Sequence, residues 1–174
     1  QRLIEKSVHE FAKKELAPKA SYWDLQEEFP WELVKKMAEI GLTGLRLPAI
    51  YGGMGADLMT SGIALEEIAR FDHNCAIILC GCNITGKVLL HGSEILKQNY
   101  LPDIVKGKCI LAFAAMESEA GSDIRAIKTV AKRVDNTYVV TGEKSMITFA
   151  EIAQGFVVLA KGDGENREGM SCIF

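Results

Sequence analysis

Residues 120–123, which read Ala-Gly-Ser-Asp, have the types and spacing expected of a turn that binds phosphate. They follow an apolar, β-prone run at 109–115 and a short acidic stretch. Gly121 allows close backbone approach, Ser122 supplies a hydroxyl, and successive N–H groups in a turn can bind an anion. The same residues are also typical of an ordinary turn between two strands. On its own, the pattern leaves both interpretations open.

Two further stretches add to this pattern. Residues 142–149 read Gly-Glu-Lys-Ser-Met-Ile-Thr-Phe, and residues 48–55 read Pro-Ala-Ile-Tyr-Gly-Gly-Met-Gly. With residues 116–123, Met-Glu-Ser-Glu-Ala-Gly-Ser-Asp, they resemble in order and separation the motifs of the acyl-CoA dehydrogenases, a family of flavoproteins. The family's patterns are Pro-x-x-Tyr-Gly-Gly-x-Gly, Thr-Glu-Pro-x-Ala-Gly-Ser-Asp and Gly-x-Lys-x-Trp-Ile-Thr-Asn. The resemblance therefore spans nearly the whole chain.

The resemblance implies α,β-dehydrogenation of an acyl-CoA thioester. In that reaction a carboxylate base removes the α-proton, and a hydride passes to N5 of a bound FAD, which supplies the redox chemistry. By position, the family's flavin contacts fall on the backbone of Ala115 and on Met116, Met146 and Thr148, and its pyrophosphate or pantetheine contacts fall on Gly121 and Ser122. The fourth predicted helix would line the acyl pocket with Ile78, Leu79, Cys82 and Asn83, although an apolar helix face can equally be ordinary bundle core.

Two residues depart from the family's pattern. Met116 stands where a flavin-contacting threonine is typical, and it has no strong hydrogen-bond donor. Met146 replaces a tryptophan, so it loses a flat aromatic face but can still pack its sulfur against a ring. The alternatives to a dehydrogenase are therefore an acyl-CoA oxidase, an enoyl-CoA reductase and a flavin-free interaction module derived from the family. Packing in a strand core is a further interpretation of both methionines.

We expect no catalytic base among these 174 residues. Glu117 and Glu119 flank the turn, but the resemblance places the base in a C-terminal helical domain beyond this chain. The three histidines share no spacing typical of metal ligands or of a nucleophile's partner, so we expect no metal site. The resemblance also implies electron-transfer flavoprotein or a similar acceptor, and a homotetramer or homodimer. The location would be the cytoplasm in a bacterium or the mitochondrial matrix in a eukaryote.

Composition excludes several other classes of protein. Apolar residues are 48% and charged residues 25%, as in soluble globular proteins. A formal net charge of −3 provides no basic surface for nucleic acid, and no apolar run is long enough to span a bilayer. Five cysteines without a Cys-x-x-Cys pair predict buried free thiols rather than disulfides or a zinc ribbon.

Hydrophobic periodicity predicts helices in the first part of the chain. They cover residues 3–17, 30–40, 57–71 and 75–90, followed by a short helix after Ser93. Pro18 should end the first of these, and Pro102 should begin a new turn. We expect Met59, Ile63, Ile68 and Ala69 to face inward, and Asp72 or Asn74 to cap the fourth helix.

Strand-like runs follow at 109–115, 124–134, 138–141, 146–149, 156–160 and 170–174, with turns at 135–136 and 162–164. Helices followed by strands predict an α+β multidomain chain. We expect an all-α domain at 1–108 and an incomplete antiparallel β-domain at 109–174, in the arrangement of the acyl-CoA dehydrogenases.

Overall fold

A computed structural model describes residues 1–162 and 169–174. The chain divides into two compact units, Gln1–Ile110 and Leu111–Phe174. The first unit is helical and the second contains the sheet, so a helical domain followed by a partial sheet is confirmed. The predicted turn at 162–164 lies partly outside the described residues.

The helical unit contains six α-helices and two short helical turns among its residues. The α-helices are α1 Arg2–Phe11, α2 Ala17–Gln26, α3 Trp31–Glu39, α4 Leu58–Ala69, α5 His73–Leu89 and α6 Glu94–Val105. A π-helical turn, Ala12–Leu16, joins α1 to α2, and a 3-10 turn, Ala49–Tyr51, precedes α4.

Short polar side chains begin three of these helices. Asp57 accepts a hydrogen bond from the Thr60 N–H at 2.7 Å, and Asp72 accepts one from the Cys75 N–H at 2.9 Å. Ser93 caps α6 in the same way. Each cap satisfies an N–H group that has no partner within its helix. Of the two predicted caps for α5, the structure selects Asp72.

Both prolines lie inside helical segments, contrary to the sequence prediction. Pro18 occupies the first turn of α2, where a proline is tolerated, so the helical path continues through the π-helical turn to Gln26. Pro102 lies within α6 and does not start a separate turn. Gly41, with a φ of +80°, follows the end of α3.

The core of the helical unit is formed by leucine and isoleucine side chains from several segments. Ile68 of α4 is fully buried, as predicted. Met59, which the sequence analysis placed inward, is 63% exposed, and Ala69 is also exposed. The fully buried large side chains of this unit are Leu16, Leu33, Met37, Leu45, Leu47, Ile68, Ile78, Leu79, Leu101, Ile104 and Ile110.

The second unit is built on a mixed sheet, so the prediction of an antiparallel domain is wrong in this respect. Its strands are β1 Leu111–Ala114, β2 Val130–Val134, β3 Thr137–Thr141, β4 Gly155–Gly162 and β5 Met170–Ile173. The order is β1-β4-β2-β3, with β5 also paired to β4. β4 runs parallel to β1 and β2, whereas β2–β3 and β4–β5 are antiparallel. β4 is thus the strand to which three others are hydrogen-bonded.

Two predicted strands are absent or shortened. Residues 124–126 form a 3-10 turn rather than the start of β2. Residues 146–149 form no strand, because Met146 and Phe149 have φ angles of +54° and +69°, outside the β region. The turn at 135–136 joins β2 to β3, as the sequence predicts.

Candidate flavin-contacting site

The turn that follows β1 is closed by backbone hydrogen bonds between Glu117 and Ala120. The Glu117 N–H donates to the Ala120 carbonyl at 3.0 Å, and the Ala120 N–H donates back to the Glu117 carbonyl at 3.1 Å. Asp123 then accepts from the Arg125 N–H at 3.2 Å and caps the following 3-10 turn. The Ser122 side chain lies between these two turns and is exposed. Its hydroxyl is therefore accessible to a ligand.

The two motifs predicted from the sequence meet in the structure. The Ser145 N–H donates to the Met116 carbonyl at 3.0 Å, and the Lys144 Nζ donates to the Ala115 carbonyl at 2.9 Å. The motif that begins at Gly142 therefore lies directly beside the chain that leaves β1. The structure thus brings the predicted contacts Ala115, Met116 and Met146 into neighbouring segments.

The Glu117 side chain lies at the centre of this arrangement. Its Oε1 accepts from the Thr129 hydroxyl at 2.6 Å, the Thr129 N–H at 3.0 Å and the Lys144 Nζ at 2.9 Å. Its Oε2 accepts from the Lys128 N–H at 2.6 Å. The Glu117 and Lys144 side chains are only 8% and 11% exposed. One carboxylate therefore connects the end of β1, the start of β2 and the 142–148 segment.

The protonation of Glu117 follows from these donors. Burial by itself would raise the pKa of the carboxyl, because it disfavours the charged form. Hydrogen bonds from Thr129, Lys128 and Lys144 outweigh burial and lower the pKa to about 2. The carboxylate is therefore ionised at neutral pH and is a weak base.

Two methionines are exposed on these segments. Met146 is 87% exposed and Met116 is 41% exposed. A Cβ at Gly121 would lie 3.6 Å from the Met116 Cε, so the Met116 side chain reaches as far as the 120–123 turn. Thr148 is exposed as well. Accessible apolar thioethers beside backbone polar groups and hydroxyls suit a ligand with a flat apolar ring and polar edges, such as a flavin.

The predicted acyl-pocket residues lie in α5 and are all buried. Ile78, Leu79, Cys82 and Asn83 are 2%, 0%, 3% and 4% exposed. Burial raises the pKa of the Cys82 thiol to about 12, so this thiol stays protonated and unreactive. The Asn83 Nδ2 donates to the Ser61 hydroxyl at 3.2 Å. Bundle core explains this burial equally well, so their contact with an acyl chain stays a prediction.

Sequence reasoning missed the structural role of Glu117, Thr129 and Lys144. Glu117 and Lys144 both lie inside the quoted motifs. Glu117 directly follows Met116, and Lys144 lies two residues before Met146. The available signal for an ion pair was an acidic residue, Glu117, in one motif and a basic residue, Lys144, in the other. Their hydrogen bonds join residues 27 positions apart, which no local pattern reveals.

A second cluster missed from the sequence lies in the helical unit. The His9 Nδ1 is 2.8 Å from Oε2 of Glu67, whose side chain is 5% exposed. The Arg70 Nε lies 3.3 Å from the other oxygen of the same carboxylate. The sequence analysis assigned His9 no role, and in the structure it contacts a carboxylate. Since Arg70 also bonds the exposed Glu66, the cluster combines ion pairs at the end of α4 with a contact from His9 of α1.

Cysteines and metal ligands form no site in the described part of the chain. All five cysteines are free, and Cys75, Cys82 and Cys109 are buried, as predicted. Cys172, however, is exposed. Within residues 1–162 and 169–174, no group of three or more metal-binding side chains is placed to hold an ion, and no helix has the length and apolarity needed to cross a membrane.

Comparison with known proteins gives consistent relatives. The chain is 39% identical over 163 residues to 3-(aryl)acrylate reductase of Clostridium sporogenes, covering 92% of this chain and 43% of that protein. It is 37% identical over 166 residues to a subunit of the caffeyl-CoA reductase–Etf complex of Acetobacterium woodii, covering 93% and 44%. Several other relatives are acyl-CoA dehydrogenases. The chain thus spans less than half the length of these two reductases.

A solved structure shows the same fold. Glutaryl-CoA dehydrogenase from Mycobacterium smegmatis, in complex with FADH2, matches 98% of this chain and 44% of its own with a TM-score of 0.89 and 26% identity. Two family models also match, the N-terminal domain of acyl-CoA dehydrogenase at residues 1–108 and the middle domain at 112–174. Together these two models cover nearly the whole sequence, and the chain belongs to the acyl-CoA dehydrogenase family.

Proposed function

We propose that the protein carrying this chain is an FAD-dependent acyl-CoA dehydrogenase, an oxidoreductase that acts on a CH–CH group next to a thioester. The observation that supports this most directly is the meeting of the two motifs, in which the Ser145 N–H bonds the Met116 carbonyl at 3.0 Å. Family membership supports the same reaction class. When bound, FAD would accept the hydride that leaves the β-carbon.

The residues of the β-unit fit the polar and apolar parts of FAD. Met116 and Met146 are exposed and can pack their thioethers against the isoalloxazine ring. The Ala115 backbone and the Thr148 hydroxyl can meet polar edges of the ring. Gly121 and the exposed Ser122 hydroxyl can approach a pyrophosphate, or the pantetheine arm of the thioester. Their role is to bind and orient, since none of them titrates near neutral pH.

No residue of this chain is proposed as the base. Glu117 is ionised, has a pKa of about 2 and is engaged by four donor groups. Glu119 is exposed and ion-paired with Lys128, whose hydrogen bond lowers the pKa of that carboxyl. A base for the α-proton works best with a pKa near the working pH. The family resemblance places the base at a glutamate beyond Phe174.

The remaining partners are proposed on the same footing. The substrate is an acyl-CoA thioester, and the electron acceptor is electron-transfer flavoprotein or a similar protein, as in the named complex of the Acetobacterium relative. A homotetramer or homodimer follows from the resemblance. We infer a cytoplasmic location in a bacterium and the mitochondrial matrix in a eukaryote.

The test uses the full-length protein, reconstituted with FAD. A dehydrogenase should show flavin absorption bands that bleach when an acyl-CoA is added, and should turn over with an artificial electron acceptor. Ser122→Ala should weaken binding of FAD or of the thioester by roughly threefold to tenfold, the range for one hydrogen bond. Ser118→Ala, in the same turn, is the matched control and should change neither. A protein that retains no flavin after free FAD is removed, and leaves acyl-CoA unchanged, would refute the proposal.

A second candidate is a reductase of an α,β-unsaturated acyl group. Two relatives named as reductases, together with Met116 and Met146 in place of the typical residues, favour this direction. The two candidates separate in one anaerobic experiment on the full-length protein. If a 2-enoyl or 3-arylacrylyl thioester reoxidises the reduced flavin faster than the saturated thioester bleaches the oxidised flavin, the protein is a reductase. The reverse order of the two rates identifies a dehydrogenase.

A further inference from the structure

The proposed function leaves a buried polar cluster without an assigned role. It consists of Glu117, Thr129 and Lys144, together with the backbone N–H of Lys128 and the carbonyl of Ala115. None of these groups except the Ala115 backbone is placed against a ligand. Glu117, however, directly follows Met116, and Lys144 bonds the Ala115 carbonyl, while Thr129 and the Lys128 N–H both bond Glu117. The cluster can therefore act on the site only through its neighbours.

We propose that Glu117 and Lys144 are positioning residues that fix the segment at 115–116 against the segment at 145–146, so that both contact the flavin together. This inference rests on the proposed function. Lys144 Nζ bonds the Ala115 carbonyl and the Glu117 carboxylate, each at 2.9 Å. One residue further along each segment, the Ser145 N–H bonds the Met116 carbonyl. The ammonium and this backbone bond together fix both the separation and the register of the segments.

An ion pair suits this role better than an apolar contact. A buried ion pair adds little stability, because the cost of removing two charges from water offsets their attraction. The pair does fix the orientation of its two side chains, because a carboxylate accepts hydrogen bonds only along the directions of its lone pairs. A carboxylate has about four acceptor positions, and Glu117 receives four hydrogen bonds. The side chain is therefore held by two other segments at once, residues 128–129 and Lys144.

The backbone of Met146 shows that this segment is held in a costly conformation. Met146 has a φ of +54°, although it is not a glycine, and its side chain is 87% exposed. Such a conformation persists only where the surroundings determine it. Packing of the Met146 side chain cannot hold this backbone conformation, because most of the side chain is in solvent. The two residues before it are both anchored, Ser145 through its N–H bond to the Met116 carbonyl and Lys144 through its 11% exposed side chain.

The same geometry argues against a direct chemical role for the pair. Glu117 accepts hydrogen bonds from four donor groups, and its side chain is 8% exposed, so neither substrate nor water reaches it readily. Its effect on the reaction must therefore be transmitted through Met116 and Met146. Substitutions should change how the flavin is bound and what environment it experiences, beyond any change in stability.

Two variants and one matched control test the inference in the full-length protein. Glu117→Gln keeps the shape of the side chain but removes the charge and one acceptor oxygen. Lys144→Met removes only the ammonium and leaves Glu117 with three of its four donors, so it should fold even where Glu117→Gln does not. Glu119→Gln is the control, because Glu119 lies two residues away and its side chain forms an exposed ion pair with Lys128.

Three quantities are measured: the dissociation constant of FAD, the absorption spectrum of the bound flavin, and hydrogen exchange of residues 143–149 in the apoprotein. Either variant should weaken FAD binding and speed exchange by about tenfold or more, the range for a lost hydrogen bond to a charged group. The flavin bands should shift. The double variant should be no worse than the poorer single variant, since both break one unit. Glu119→Gln should stay within about twofold of the parent.

A purely structural pair would give a different result. Both variants would then unfold at lower temperature but bind FAD with the parent's affinity and spectrum, and the inference would be overturned. If the parent itself binds no FAD, the proposed function fails, and exchange in the apoprotein decides the positioning claim alone. Faster exchange confined to residues 143–149 supports it, and unchanged exchange overturns it.

Discussion

The Lys144 ammonium lies 2.9 Å from the Glu117 carboxylate, and both side chains are nearly buried. The two residues are 27 positions apart and belong to different sequence motifs. A charge buried in this way is costly when its partner is removed, because it is left without compensation in a region of low dielectric constant. The pair therefore makes the geometry of the two motifs interdependent.

Glu117 should make the stability of the protein fall in acid. Its pKa in the folded state is about 2, against an ordinary value of 4.5, so the folded state favours the ionised form. The stabilisation, on the order of 3 kcal/mol, is present above pH 4.5 and is lost as the pH falls from 4.5 towards 2. Urea unfolding at a series of pH values measures this loss.

Glu117→Gln should unfold more easily at pH 7 but lose less stability between pH 4.5 and pH 2. Glu119→Gln is the comparison, since solvent screens its exposed pair with Lys128 and such surface pairs contribute little to stability. If the free energy of unfolding fell equally steeply between pH 4.5 and pH 2 in Glu117→Gln and in the parent, another group would be responsible for the loss.

Met146→Gly should separate stability from cofactor binding. Glycine adopts a φ of +54° without steric cost, so the variant should unfold with a free energy equal to the parent's or higher by up to about 1 kcal/mol. Affinity for FAD should fall, because an exposed thioether that can pack on the ring is removed. Chemical unfolding and flavin titration measure the two effects.

Asp135→Gly provides the control for Met146→Gly. Asp135 has the same φ of +54° but lies in the turn between β2 and β3. It should show a similar change in stability with no change in FAD affinity. Unaltered FAD affinity in Met146→Gly as well would remove Met146 from the set of flavin contacts.

Gly121→Ala should fold normally, whereas Gly142→Ala should not. An added Cβ at position 121 meets only the Met116 methyl group at 3.6 Å, an ordinary contact, and Gly121 does not adopt a positive φ. At position 142 it would come within 2.7 Å of the Thr129 Cα, at a φ of +155°. That clash would displace Thr129, which donates two hydrogen bonds to Glu117.

Circular dichroism and thermal unfolding compare the two glycine variants. Any loss of FAD or acyl-CoA affinity in Gly121→Ala then reports close approach of the ligand, since the fold needs no glycine there. Equal melting temperatures for the two variants would contradict the steric account of Gly142.

Ser61→Ala should destabilise the helical unit through Asn83. The Asn83 amide is buried, and its bond to the Ser61 hydroxyl is its only hydrogen bond within the described residues, with Oδ1 left unpaired. Removal of the hydroxyl leaves the whole amide without a partner, which costs about 1–3 kcal/mol.

The double variant Ser61→Ala/Asn83→Leu should regain much of that loss, because it replaces both polar partners with apolar groups. Thermal unfolding of the single and double variants checks this. Additive losses would mean that Asn83 has a further partner or that leucine does not fit the site.

Much of the helical unit could be predicted from sequence because its determinants are local. Asp72 caps α5 through the third residue of the helix, and the apolar periodicity of that helix identifies Ile78 and Leu79 as core. Motif residues such as Gly121 and Ser122 were likewise recognisable from their types and order. Even so, Pro18 and Pro102 were misplaced, because a proline is tolerated in a helix when its neighbours accommodate the missing hydrogen bond.

Tertiary structure decided what depends on residues distant in sequence. The parallel pairing of β4 with β1 and β2 fixes a mixed sheet, although each strand by itself would suit either pairing direction. Likewise, Met146 is β-prone by sequence, yet the anchored Lys144 and the bond from Ser145 to Met116 hold it at a positive φ outside any strand. Helix caps and apolar helix faces can be predicted from sequence, because capping bonds and helical periodicity involve residues only a few positions apart. The position of a charge pair depends on the whole sheet that carries it, because only the folded chain brings residues 117, 129 and 144 together.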